Sequence, residues 1–267
     1  MVARRIAGTV ALAVLGAAAA ADEPELITDR PDQTESSAVV PPGRVQVEAG
    51  WIFAREDEGG VETDAQEGPA TLARIGLADP VELRLGWAGF VSEEVETGGA
   101  TADVDGPGDT GIGVKLDLWD EEGRRPDLAL IAGVSLPTGD SEVTSDRVDP
   151  AFRFSASHTL GERVGLGYNL GLAWSTEADA AGERDTVSSF VYTAAMGFAV
   201  ADRVGAFVEL FGGLGGSAGG CPRHSLDGGF TWLVRDNVQL DASAGFGLSD
   251  AADDVFVGLG VSARFPR

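Results

Sequence analysis

Glu48, Arg74, Glu82, Arg84, Lys115, Asp117, Arg153 and Arg264 each fall on the polar parity of a period-two segment, as do Glu209, Asp227 and Asp241. Just upstream of the first such segment, "ITDRPDQTESS" (Ile27–Ser37) crowds Asp29, Arg30, Asp32, Thr34 and Glu35 together. Carboxylates and guanidinium groups at such spacing do electrostatic chemistry: they pair, line a polar path or sort solutes by charge. They do not form a catalytic set. His158 adjoins Ser157, and His224 adjoins Ser225 near Asp227. Adjacent residues on a strand point to opposite faces, so neither pair joins a base to a nucleophile directly. Two histidines make a His-rich metal site a poor reading, and the single cysteine, Cys221, reads as a lone thiol in an external loop. No enzyme activity, metal or cofactor is expected.

The elements that position these charges are strands. After Gly43 the chain runs in alternating segments of about ten residues, the length a tilted strand needs to cross a bilayer core. Twelve are expected: Arg44–Ala54, Ala70–Ala78, Val81–Val91, Asp109–Trp119, Asp127–Leu136, Ala151–His158, Val164–Trp174, Val187–Val200, Val204–Gly212, Ser225–Val234, Val238–Leu248 and Asp254–Phe265. One parity is bulky, as in Leu166, Tyr168, Leu170, Leu172 and Trp174; the other is small or polar, as in Gly165, Gly167, Asn169 and Gly171. Every in-strand charge lies on the small parity. A soluble sandwich shows the opposite asymmetry, with bulk inside and charge outside. The pattern predicts an all-β, antiparallel, up-and-down transmembrane barrel of about twelve strands, with a lipid-facing apolar band and a polar lumen. Trp51, Phe53, Trp174, Phe190, Trp232 and Phe265 suit interfacial girdles. On this parity Ser155 is a lumen position with room for a larger residue.

Connections alternate in length. "ADP" (78–80), "LGER" (160–163), "ADR" (201–203) and "RDN" (235–237) are short; Arg55–Pro69, Ser92–Gly108, Pro137–Pro150, Ser175–Thr186 and Gly213–His224 are long. Short periplasmic turns and long external loops are the outer-membrane pattern. The start, "MVARRIAGTVALAVLGAAAAADEPE", has a basic lead, an apolar run and a small-residue tract, the features of a signal peptide over residues 1–21, cleaved on export. Residues 22–43 then form a periplasmic N-terminal segment and 44–267 the barrel. The formal net charge is −24, which excludes nucleic acid as a partner.

"TDRPDQTES" followed by "VPPGRVQVEAGW" resembles the opening of an outer-membrane family called "putative MetA-pathway of phenol degradation". "GPGDTGIGVKLDLW" (106–119), "GVSLPTGD" (133–140), "LGYNLGL" (166–172) and the run from Asp227 to Phe265 match as well, so the likeness spans nearly the whole mature chain. It implies an outer-membrane barrel of a Gram-negative-type cell that passes small solutes, aromatic or hydrophobic compounds among them. It supplies no catalytic residue. Barrels of this kind commonly end on an aromatic residue read by the assembly machinery; here Phe265 is followed by Pro266 and Arg267, which shifts that signal.

Two readings of each polar feature stand open. Asp29, Arg30, Asp32 and Glu35 form either a plug in the periplasmic mouth or a turn closed on its own backbone. The charges Glu48, Arg74, Glu82, Arg84, Lys115, Asp117, Arg153 and Arg264 form either a selective constriction or a salt-bridge ladder that fills the lumen. The acidic loops either gather cations or are solvated; "DVDGPGD" (103–109) lacks the spacing and terminal Glu of a calcium loop. The function expected is an outer-membrane channel or transporter for small solutes, acting as a monomer among outer-membrane lipids after insertion by the barrel-assembly machinery. The alternative is a non-conducting structural or surface-interaction barrel; a barrel hydrolase ranks below both.

Overall fold

The structure, a computed structural model, describes residues 24–178, 184–215 and 222–266. The expected signal peptide and Cys221 lie outside them. Among the described residues there are fourteen strands and no helix: β1 (Val45–Glu58), β2 (Val61–Ala78), β3 (Val81–Trp87), β4 (Phe90–Thr97), β5 (Ala100–Pro107), β6 (Thr110–Trp119) and β7 (Asp127–Leu136), then β8 (Asp149–Thr159), β9 (Val164–Ala178), β10 (Arg184–Ala201), β11 (Val204–Gly215), β12 (Arg223–Arg235), β13 (Val238–Gly247) and β14 (Val255–Phe265). Neighbours pair antiparallel from β6 round to β14. β14 then pairs with β1 from Val45↔Phe265 to Arg55↔Val255, β1 pairs with β2, and β3 joins β2 to β6. This ring of twelve strands leaves no open edge, the condition for a sheet to sit in hydrocarbon.

β4 and β5 are the two additional strands. They continue β3 and β6 beyond the ring, where β2 pairs with β4 and β4 with β5. Two loops expected at Arg55–Pro69 and Ser92–Gly108 are therefore hairpins. Their tips, Gly59–Gly60 (φ +63° and +86°) and Gly98–Gly99 (φ +61° and +85°), have the paired positive φ of a two-residue hairpin turn. The sequence periodicity misses them because both faces of this projection are polar, with no apolar parity to read. Carboxylates even stand directly opposite one another, as in Glu62↔Glu96 and Glu94↔Asp103, and "DVDGPGD" lies mostly on β5. Backbone ladders hold the projection, and Arg55 ties Asp64 at 2.7 Å and Glu62 at 3.1 Å. At the junction Gly89 has φ +92°, and a Cβ there would come within 2.9 Å of Gly68 and Pro69 backbone. The strand can break and splay at that point only with glycine.

The faces separate as in a barrel with lipid outside. Leu85, Ile112, Phe154, Leu170, Met196, Val208 and Leu259 are exposed on the outer wall, as are Trp51, Phe53, Phe190, Trp232 and Phe265. Trp174 is half-buried and packs on Phe152 instead. The largest fully buried side chains are Arg74, Lys115, Gln46, Glu48, Glu82 and Glu209. In water such an arrangement would be inverted, because charged side chains are almost never fully buried unless paired. With hydrocarbon outside, the lumen is where charge belongs.

Turns of two to four residues (79–80, 160–163, 202–203, 236–237) and the seven-residue 120–126 share one end, the short-turn end, with the start of β1 and the close of β14; the remaining connections and the β4–β5 projection lie at the other end.

Candidate functional site

The polar run before β1 lies inside the barrel. It enters at the short-turn end, rises to mid-lumen, turns along the wall and descends to β1. At the entry Arg264 of β14 donates to the Pro24 and Glu25 carbonyls, and Gln46 Nε2 donates to the Ile27 carbonyl at 2.8 Å. Gln239 of β13 donates to Thr28 Oγ1 at 2.9 Å. On the descent Ser37 meets Ser157, Arg74 Nη2 donates to the Ala38 carbonyl at 2.8 Å, and the Val40 amide donates to Glu82 at 2.8 Å.

Asp29 is the centre of the arrangement. Its carboxylate lies 2.6 Å from Arg84 Nη1, 2.9 Å from Lys115 Nζ and 3.3 Å from Arg74 Nη1, with 3% of its side chain exposed. Glu82 and Glu48 complete the cluster: Arg74 reaches Glu82 at 2.9 Å and Glu48 at 3.1 Å, and Glu48 accepts from the Asp29 amide at 2.9 Å. Strands β1, β2, β3 and β6 supply these groups from alternating positions, so the small-parity rule alone aims them at one point. Burial opposes ionisation of Asp29, but Arg74, Lys115 and Arg84 hold its carboxyl well below the usual carboxylate range. The sign follows: the attraction is complete above the ordinary Asp pKa and is lost only as pH falls through the lowered value, so mild acidification leaves it intact.

The far side of the segment is bound by neutral donors and carboxylates. Glu209 of β11 accepts from the Gln33 amide at 2.7 Å and from Thr34 Oγ1, which also meets Thr193 at 2.6 Å. The Glu35 amide donates to Asn169 Oδ1 at 2.8 Å, and its carbonyl accepts from Asn169 Nδ2 and Ser155 Oγ. Arg30 reaches Asp241 at 3.1 Å and the Leu259 carbonyl at 3.2 Å. Asp32 is pushed well above the usual range, by burial first and by Glu209 next.

The structure thus brings together Asp29, Arg30, Glu35, Glu48, Arg74, Glu82, Arg84, Lys115, Arg153 and Arg264. Arg153 is the loosest of these, 29% exposed and 3.5 Å from Glu35. Asp117 lies apart, beside Asp120 and Asp127 towards the short-turn end. Ser155 corrects an expectation: it is fully buried under Glu35, with no room for a larger side chain. The turn reading survives inside the docked one, since Asp29 Oδ1 also accepts from Ser36 N and Oγ. The anchors Ser155, Asn169, Thr193, Glu209 and Gln239 were not singled out in the sequence as partners of this segment. Lumen parity marks them, but nothing local marks what they touch. The histidines sit elsewhere: His158 stacks on Tyr168, and His224 Nδ1 is 2.6 Å from Tyr192 Oη.

Space remains beside the segment. A cavity of about 710 Å³ opens towards the long-connection end between Gln33, Ser175, Phe211, Arg223 and Phe256. A middle cavity of about 300 Å³ shares Gln33, Ile52 and Phe256 with it and adds Asp32, Arg153 and Asp227. A third, of about 450 Å³ at the short-turn end, shares Arg30, Pro31 and Asp32 with the middle one. Residues Arg30–Gln33 divide this row, which follows the β10–β14 wall.

A family model described as "Putative MetA-pathway of phenol degradation" matches residues 28–265. No curated protein matches the sequence. Among solved structures, the COG4313 outer membrane channel from Pseudomonas putida F1 superposes with a TM-score of 0.65 at 14% identity, covering 86% of this chain and 98% of that one. The transport unit of the autotransporter AIDA-I from Escherichia coli gives 0.53 at 8% identity, over 84% and 90% of the two chains. The NanC porin gives 0.51 at 8% identity, over 82% and 98%.

Proposed function

From the premise that this chain belongs to the outer-membrane barrel family described as "Putative MetA-pathway of phenol degradation", we propose that it moves small solutes across the outer membrane, past the segment lodged in its lumen. The observation that carries this reading is the row of adjoining cavities along the β10–β14 wall. The segment 24–43 acts as a plug that narrows the path rather than filling it. The upper cavity combines apolar and aromatic surface (Ile52, Val191, Phe211, Phe256) with Ser175, Ser189 and Arg223. That lining suits a small, partly aromatic solute with one polar end, in keeping with the phenol named in the family's description. Residues 1–21 serve as a cleaved export signal, and the barrel works as a monomer inserted by the assembly machinery. Within the charge set, Glu48, Arg74, Glu82, Arg84 and Lys115 hold the plug, and Arg153 faces the solute.

A non-conducting barrel is the second reading. It is favoured by the anchoring of the segment to nearly every strand of the ring. Planar-bilayer recording of the refolded protein separates the two. Discrete current steps are the expected result; a membrane that stays silent at high protein load sinks the channel reading. Orientation has its own check. An epitope inserted between Gly59 and Gly60 is labelled on intact cells, and one between Asp202 and Arg203 is labelled only after the outer membrane is opened. The reverse pattern overturns the assignment of the short turns to the periplasm.

A further inference from the structure

The Glu35 carboxylate sits between two guanidinium groups of the barrel wall. Arg84 Nη2 of β3 is 2.9 Å away and Arg153 Nη1 of β8 is 3.5 Å away. The Glu35 backbone is fixed by other means: its amide donates to Asn169 Oδ1, and its carbonyl accepts from Asn169 Nδ2 and Ser155 Oγ. The side chain can therefore swing off the two arginines while the segment stays in place. Glu35 and Arg153 are also the least buried members of their ion-pair network, at 20% and 29% exposure, against 3% or less for Asp29, Glu48 and Glu82. That network holds four bases, Arg74, Arg84, Lys115 and Arg153, and four acids, Asp29, Glu35, Glu48 and Glu82. With the Glu35 carboxylate swung away, one positive charge is left unanswered at Arg84 and Arg153.

The wall beside the two arginines is bare backbone. Gly86 stands opposite Gly111 across the β3–β6 ladder, and Gly113 stands opposite Gly133 across β6–β7. All four have lumen parity. A Cβ at Gly86 would meet nothing nearer than 4.0 Å, so the missing side chain leaves open space. A cavity of about 330 Å³ covers this patch and is bounded by Glu35, Arg84 and Arg153. A second, also of about 330 Å³, adjoins it through Glu35, Arg84, Gly86 and Gly111. Asp109, which lines the second, is engaged by the Thr138 and Gly139 amides, each at 3.0 Å. Glu35 and Arg153 line the middle cavity as well. The Glu35 side chain thus separates the path along the β10–β14 wall from a chamber over the glycine patch.

We propose that Arg84 and Arg153 form a binding site for the carboxylate of a small organic acid, that Glu35 is its built-in stand-in, and that the body of the acid lies on the glycine patch. A guanidinium fork fits a carboxylate whichever molecule carries it. The solute replaces the Glu35 carboxylate, one anion for another, so the charge balance of the network is kept. A flat floor without side chains suits a planar body, which makes an aromatic carboxylate the expected class. The site deepens the channel reading and rests on it for access from the path; the binding itself is measured without a membrane.

The test is isothermal titration of the refolded mature chain in detergent with benzoate, and with benzamide as its neutral counterpart. Benzoate binds tighter than benzamide by about tenfold or more, the worth of hydrogen bonds to a charged group. Glu35→Ala removes the stand-in and keeps the backbone contacts. It tightens benzoate severalfold, because a site covered by its own chain binds only in proportion to the time it is open. A misfolded barrel cannot give that gain. Arg153→Gln loses the preference for benzoate, and benzamide is indifferent to both changes. Equal binding of benzoate and benzamide, or benzoate binding that neither variant alters, overturns the site. The channel reading fails separately: current steps without benzoate binding sink the site alone, and benzoate binding with a silent bilayer sinks the channel alone.

Discussion

Deleting Asp29–Glu35, with the rest of the chain kept, yields a barrel that assembles and conducts more than the parent. The barrel ladders do not run through this segment, so the ring survives its loss. What is lost is the divider at Arg30–Gln33 between the middle cavity and the one at the short-turn end. Asp29→Asn tests the anchor alone. Removing one partner from a buried ionic cluster costs about 3–5 kcal/mol, because the remaining charges stay desolvated without compensation. Here three cations, Arg74, Arg84 and Lys115, lose their shared carboxylate. The variant therefore shows noisy current between the parent level and that of the deletion. High salt does little to the parent, since screening over about 8–10 Å acts on exposed pairs far more than on buried ones. If the deleted barrel is correctly assembled and carries no more current than the parent, the segment is not a plug.

Leu170→Arg blocks assembly, whereas Gly197→Arg is accepted. Leu170 stands on the outer wall between Phe154 and Tyr192, in the apolar band. A charge at mid-bilayer on a barrel's lipid face costs about 2–4 kcal/mol. Gly197 has the opposite parity and lines the cavity at the short-turn end; a Cβ built on it meets nothing within 4 Å. Heat-modifiable migration of the folded barrel on a gel, and protection from protease in cells, read the outcome. Equal tolerance of the two arginines contradicts the lipid-facing assignment. Ser155, on the same parity as Gly197, is a poor control for the reason already seen: Glu35 of the lodged segment covers it.

Parity alone reveals which residues face which solvent, because in a strand the side-chain direction alternates strictly. That is why Leu170 can be placed outside and Asn169 inside from their parity, and why Glu48, Arg74, Glu82, Arg84, Lys115 and Arg264 fall on the buried face. The projecting hairpins escaped because an acidic, two-faced polar sheet has no contrast to alternate. The one local signal of a turn in each, the pairs Gly59–Gly60 and Gly98–Gly99 that permit two positive φ angles, is not enough against a loop reading when the flanking residues do not alternate.

The twelve-stranded ring, its inverted polarity and the dense polar run at its entrance are all written in the order of residue types along the chain. These are local properties, repeated segment by segment. Where that run goes and which charges it meets follow from closure of the ring. Asp29 finds Arg74, Arg84 and Lys115 at separations of 45, 55 and 86 residues, because ring closure turns separate strands towards one axis. The same closure sets Glu209 and Asp227 face to face across the β11–β12 ladder. Side-chain type and parity place a charge in the lumen; which charge lies across from it depends on the register of every strand between.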